Sequence, residues 1–183
     1  RCPIADAHDV ERATSAARNA FQRSWSGTTS SERAHILRTT AELLEREIDD
    51  LAILETLETG RTHRETLEYE VRPCIEILRH AAGLSGRMGG EVHDLASGAL
   101  GIVHMEPRPV VAIVAPWHQP LAFAVRKCAP ALMAGACVVL LAPKEAPLTL
   151  LRFAELIHEA GIPPGVFNVL TGSDDDTAEA LAG

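Results

Sequence analysis

The 183-residue sequence has no CxxC pair, and its eight histidines are scattered without HExxH or other ligand spacing, so no metal site is expected in it. Its four cysteines, Cys2, Cys74, Cys128 and Cys137, fall in helical or strand contexts and read as free, buried thiols in a reducing cytoplasm. The net charge is −8 and no Lys/Arg stripe runs against it, which argues against nucleic acid and anionic membrane as partners. The longest apolar run, residues 129–141, is broken by Pro130 and Gly135 and falls short of the ~18 residues that would suggest a membrane span. No basic start leads into an apolar stretch and a small-residue cleavage site, so nothing suggests secretion. Internal repeats and low-complexity tracts are also absent.

What remains is a chain with 46% hydrophobic residues, enough to fill one sizeable core. The first half is helical by pattern. Asp6 and Asp9 precede an amphipathic stretch to about residue 25, with Val10, Ala13, Ala17 and Phe21 three to four apart. Ser30 or Ser31 is expected to cap a second helix with Ile36, Leu37, Ala41, Leu43 and Leu44 on its apolar side. Asp49 opens a third helix that Gly60 closes. Thr62 and Glu65 form a capping-box pattern for a fourth, extending to about Gly83, and Pro73 within it predicts a kink or break. These helices have apolar faces that need a partner, so they are not expected to form an independent domain.

After Gly89-Gly90 the pattern changes to short strands, at residues 99–105 and 110–114. Residues 110–114, 137–141 and 167–170 are apolar, β-branched runs of the kind buried on both faces of a parallel sheet. Helix-length segments, 121–134 and 148–160, lie between them. The alternation predicts an α/β fold: a helical leading segment, residues 1–98, followed by a Rossmann-like parallel βαβαβ unit, residues 99–183. Ligands of open α/β sheets bind outside the carboxyl ends of the strands. Here the first strand is followed not by GxGxxG but by Ala115-Pro116-Trp117-His118.

The turns carry a resemblance. Pro116-Trp117-x-x-Pro120-Leu121, Lys127-x-x-Pro130-Ala131-Leu132-x-x-Gly135, Pro147-Leu148-Thr149 and Glu159-Ala160-Gly161-Ile162-Pro163-Pro164-Gly165-Val166-x-Asn168-Val169-x-x-Gly172 resemble, in order and spacing, the aldehyde dehydrogenase superfamily. Upstream, Ala16-Ala17-Arg18-x-Ala20-Phe21, Ser31-Glu32-Arg33 and the run from Leu54 to Gly60 resemble that family's leading helices, so the resemblance covers nearly the whole chain. It implies an incomplete aldehyde dehydrogenase fold whose crevice holds NAD or NADP, with Val114, Ala115, Pro116 and Trp117 on the nicotinamide side.

Several residues take on roles by that resemblance. His118 stands where the family usually has an asparagine that donates to the developing oxyanion, a role worth roughly 3–4 kcal/mol; an imidazole N–H is a substitute donor or a structural residue. Lys127 matches a family lysine near the catalytic centre, or is a surface lysine. By gapless counting, Leu141 replaces a lysine that bonds the adenosine ribose and Lys144 replaces a glutamate, which would favour a 2′-phosphate. A one-residue shift would instead align Pro143 and Glu145, and in neither register does a lysine fall at the family's lysine. Asp174, Asp175 and Asp176 would stabilise a helix start and repel a diphosphate there.

The family's cysteine nucleophile and glutamate base lie beyond Gly172 and do not align with any of the four cysteines here. The resemblance thus implies an amino-terminal piece of a longer, cytoplasmic and homo-oligomeric enzyme that oxidises an aldehyde to a carboxylic acid, the piece alone being inactive. A natural truncation, or a non-catalytic relative serving as a structural or interaction partner, is the alternative.

Overall fold

The computed structural model describes residues 2–96, 98–172 and 175–182. Helix α1 (Ala7–Ala20) opens with a capping box: Asp6 accepts from the Asp9 amide at 3.0 Å, and Asp9 accepts in return from the Asp6 amide at 3.3 Å. It runs into a π-helical turn, Phe21–Trp25, whose extra residue re-aims the next segment and leaves Trp25 only 1% exposed. Helix α2 (Ser30–Arg46) is capped by Thr29, not by Ser30 or Ser31 as the sequence suggested. The reason is reciprocity: only Thr29 has Glu32 three residues on, and the Glu32 carboxylate accepts from the Thr29 amide at 2.7 Å. Helix α3 (Ile48–Thr59) ends at Gly60, whose φ of 74° is the left-handed geometry glycine adopts without strain.

Thr62 and Glu65 do form the expected capping box, on a short α4 (His63–Thr66). The break expected at Pro73 does not occur. A second π-helical turn, Leu67–Val71, joins α4 to α5 (Arg72–Gly83) with the backbone helical throughout, so the chain is not broken, and Pro73, which has no N–H to donate, lies directly after the turn where the register widens.

Strands β1 (Glu91–Asp94) and β2 (Leu100–Val103) then pair as an antiparallel hairpin. Strand β1 was not expected, because its sequence, EVHD, has one apolar residue and no alternation; β2 is shorter than the 99–105 stretch proposed. The division drawn between residues 98 and 99 falls in the turn of this hairpin. Val92, Leu100, Ile102 and Val103 are exposed.

The remaining elements follow the expected order: β3 (Val110–Val114), α6 (Pro120–Ala134), β4 (Cys137–Ala142), α7 (Leu148–Glu159), β5 (Phe167–Thr171) and α8 (Asp175–Ala182). The three strands lie in the order β3-β4-β5 and both pairings are parallel, with Val110 opposite Cys137 and Val138 opposite Phe167. Crossovers of one hand set α6 and α7 side by side on one face, and α1 packs along all three strands. Because β4 is buried along its whole length, α1 closes the face opposite α6 and α7. Gly165, just before β5, allows α1 to approach: a Cβ there would meet the Ala16 carbonyl oxygen at 2.9 Å.

Helices α2 and α5 form a further layer on α6, and α2 and α3 also reach α7. One continuous apolar core joins both halves, from Leu37 and Leu78 through Leu132 to Val139 and Phe153. No described helix is long and apolar enough to cross a membrane.

Candidate cofactor crevice

Parallel pairing brings the carboxyl ends of β3, β4 and β5 to one edge. There the ladder continues for one more bond on each side: the Ala115 amide donates to the Leu141 carbonyl at 2.9 Å, and the Gly172 amide to the Ala142 carbonyl at 3.0 Å. Pro116 has no N–H to continue it, so the chain leaves the sheet and re-enters as α6 at Pro120. Between the two prolines, Trp117 is 54% exposed and His118 is exposed, their rings in an edge-to-face pair 6.0 Å apart. Val114 is partly exposed beside them. Val114, Pro116, Trp117 and His118 therefore form one open surface with a ring N–H donor at its end, whereas Ala115, expected among them, is 3% exposed with its amide engaged in the ladder, so its side chain offers no surface to a ligand.

The other expected residues divide. Leu141 lies opposite Val114 but is 0% exposed, so its side chain offers no surface to a ligand and its carbonyl is already taken. Lys144 stands on the turn after β4, its side chain largely exposed and Nζ 4.0 Å from a Glu145 carboxylate oxygen, an ion pair of little strength. Lys127 is seven residues into α6 from Pro120, about 10 Å along the axis, with Nζ 5.7 Å from the centre of the Phe123 ring. It is not on the turn. Of the aspartate run, Asp174 and the side chains of Asp175 and Asp176 lie outside the described residues.

Two carboxylates that the sequence did not mark organise this edge. Glu58 of α3 accepts from the Leu148 amide at 2.6 Å, the Thr149 amide at 2.9 Å and the Thr149 hydroxyl at 2.7 Å. It caps α7 from 90 residues away, and a phosphate at that helix end would have to displace it. A signal was present: Pro147 precedes Leu148, so α7 has no side-chain cap of its own. Glu70 accepts from Gln119 Nε2 at 2.9 Å and is paired with Arg61. Beside it Glu55, 1% exposed, has both carboxylate oxygens without a hydrogen-bond partner among the described residues, as does Glu70 Oε2. Burial, and then the negative charges of Glu70 and Glu58, push Glu55 up to about 8, with Arg61 opposing.

The thiols are arranged for packing. Cys74, Cys128 and Cys137 are buried, and desolvation raises each, Cys137 to about 11. None is a thiolate at neutral pH. The carboxylates of Asp6 and Asp9, which with His8 form a metal-sized group, are engaged in capping α1.

At the amino end of the sheet the polar groups serve the fold. Trp25 Nε1 donates to the Ala136 carbonyl at 3.0 Å, and Arg33 Nε to the Met133 carbonyl at 3.0 Å, closing the end of α6. A cavity of about 500 Å³ lies there, lined in part by Trp25, Arg33, Met88, Met105 and Met133.

Comparison with known proteins agrees with this architecture. The profile of the Aldehyde dehydrogenase family matches residues 1–183. The chain is 38% identical over 175 residues to the NADP/NAD-dependent aldehyde dehydrogenase PuuC of Escherichia coli, covering 95% of the chain and 35% of the relative. It is 41% identical over 177 residues to the aminoacetaldehyde dehydrogenase of Pseudomonas aeruginosa, covering 96% and 36%. The NAD+ complex of an aldehyde dehydrogenase from Bacillus cereus superposes with a TM-score of 0.94 at 33% identity, covering 97% of the chain and 36% of that structure. The chain thus spans about a third of the length of the curated relatives it matches.

Proposed function

The chain belongs to the aldehyde dehydrogenase family, and from that premise we propose that it is the cofactor-side part of an enzyme that oxidises an aldehyde to a carboxylic acid with NAD or NADP. In this reading residues 1–98 are the helical leading part of the cofactor domain and residues 99–183 the first half of its NAD(P)-binding unit. The observation that carries it is the open surface from Val114 to His118 at the carboxyl edge of a parallel sheet, where dinucleotides bind in such folds.

Val114, Pro116 and Trp117 would hold the nicotinamide side of the dinucleotide, which when bound supplies the hydride acceptor. Lys144 is the nearest cation on the next turn. The side chain of Leu141, expected to replace a ribose ligand, cannot serve as a ligand because it is buried. The N-terminus of α7 is closed to the diphosphate by Glu58.

His118 presents a ring N–H to the space beyond the turn. A donor waiting where charge develops on the aldehyde oxygen lowers the barrier to attack, because it needs no reorganisation at the moment of reaction. Lys127, turned to solvent along α6, is a more distant source of positive charge. The attacking thiolate comes from a cysteine other than Cys2, Cys74, Cys128 and Cys137, so these 183 residues alone would be inactive. We further propose a cytoplasmic, homo-oligomeric protein that binds no nucleic acid, in keeping with the net charge of −8.

The test is calorimetric titration of the full-length protein that contains these residues with NAD and NADP, followed by an assay for aldehyde-dependent cofactor reduction. Micromolar binding with turnover supports the reading; absence of both contradicts it. Binding without turnover would favour a non-catalytic relative, the reading suggested by His118 and Leu141 standing where the resemblance expects asparagine and lysine.

A further inference from the structure

Directly behind the Pro116-Trp117-His118 turn lies a cluster of ionisable groups that the proposed reaction does not use. Glu55 projects from α3 and Glu70 from the π-helical turn that packs against it, and they are 1% and 0% exposed. Arg61 and Gln119 both bond Glu70 Oε1. Three carboxylate oxygens are left over in the described structure: both of Glu55 and Oε2 of Glu70. Two ionised carboxylates with a single guanidinium would leave a net negative charge in a site closed to water, which is strongly unfavourable.

One proton resolves this. Placed on Glu55, it turns one of the acceptors left over into a donor, and the cluster becomes neutral as Glu70⁻ with Arg61⁺. Of the surrounding charges, Glu58 favours the proton on Glu55 and Arg61 opposes it. Glu58 on the same helix is engaged by α7, and the thiol of Cys74 on α5 donates to the Glu70 carbonyl at 3.0 Å. His63, Arg64 and Glu65 on α4 are exposed, Arg152 on α7 is engaged by Glu47, and Arg126 on α6 is exposed.

We infer that Glu55 and Glu70 share one proton and, through the Glu70–Gln119 hydrogen bond, hold the Pro116–Gln119 turn in place, so that Glu55 is a positioning residue for Trp117 and His118. Gln119 is the residue at which the turn becomes α6, and its side chain caps nothing on its own helix. Among the described residues its side-chain anchor is Glu70. Removing the proton from Glu55 places a second negative charge beside Glu70, and Arg61 and Gln119 must redistribute between the two carboxylates. The turn moves with Gln119. Its consequence for turnover rests on the proposed role of the turn, but the coupling itself does not.

The experiment is ¹⁹F NMR of the intact protein labelled with 5-fluorotryptophan, the Trp117 signal being assigned by its loss in Trp117→Phe. The Trp117 signal is expected to shift with a midpoint near pH 8 in the wild type, and to lose that step in Glu55→Gln, which stays neutral at every pH. A Trp117 signal without a step near pH 8, or the same step in Glu55→Gln, overturns the inference. Should Glu55→Gln not fold, the wild-type infrared spectrum decides: a protonated-carboxyl band present at neutral pH and lost with that midpoint supports the shared proton, and its absence at neutral pH overturns it. Loss of cofactor binding would sink the proposed site while leaving the pH step, and loss of the pH step would sink the coupling while leaving cofactor binding.

Discussion

The two strand-to-helix turns at the carboxyl edge of the sheet start from the same problem and solve it differently. Neither α6 nor α7 has a side-chain cap of its own. Each turn is braced by a glutamate from the leading helices, 49 residues upstream in one case and 90 in the other. At the second turn the Glu58 carboxylate covers the first amides of α7 itself. At the first turn the Glu70 carboxylate grips the side chain of Gln119 and leaves the backbone beyond it, with Trp117 and His118, facing outward. A carboxylate on the amides closes a helix end to anions, whereas one behind a side chain fixes the turn and keeps its outer surface available. The leading helices thus determine which turn is closed by a carboxylate and which keeps its outer surface exposed.

This contrast can be broken from either side. His118→Ala should have the largest effect, a fall of ~100-fold or more in kcat of the enzyme with Tm unchanged, as for loss of an oxyanion donor; unchanged kcat would show that the open turn carries no donor. Glu58→Ala should destabilise the protein by about 2 kcal/mol, because the amides of Leu148 and Thr149 lose a charged partner, and chemical denaturation would measure it. The third effect is a slope in pH. Glu55 has a folded-state value above that of an ordinary carboxylate, so its stabilising contribution is complete below the unfolded value of ~4.3 and is lost as pH rises toward about 8. Stability should fall by at most about 1.4 kcal/mol per pH unit across that window, and Glu55→Gln should flatten the curve.

The sheet was legible because its information is local. Strands β3 and β4 are short apolar runs rich in valine, β5 is a short run that Asn168 interrupts, and the expected bounds of β3 coincide with those observed. The helix closed by Gly60 and the capping box at Thr62 were legible for the same reason. At Thr29 a local rule was available but Ser30 and Ser31 competed with it; the deciding partner was Glu32.

What could not be read is long-range. Glu55 falls at a helical spacing from Leu51 and Ala52, a position on the buried face of α3, yet nothing nearby in sequence shows that it meets Glu70. Glu58 is an ordinary polar residue of its own helix until α7 is placed against it. The open turn was readable as a motif, but the burial of Leu141 needed the third dimension, since β4 is covered by α1 and α6, which are distant from one another in sequence.

Two tryptophans mark the two ends of the parallel sheet, Trp25 at the closed amino end and Trp117 at the open carboxyl end. Titrating NAD or NADP into the 5-fluorotryptophan-labelled protein therefore tests the location of the crevice directly. The expected result is a saturable shift of the Trp117 signal with the Trp25 signal unmoved. A shift confined to Trp25, or saturable binding that moves neither, would contradict the assignment of the crevice to the Val114–His118 surface.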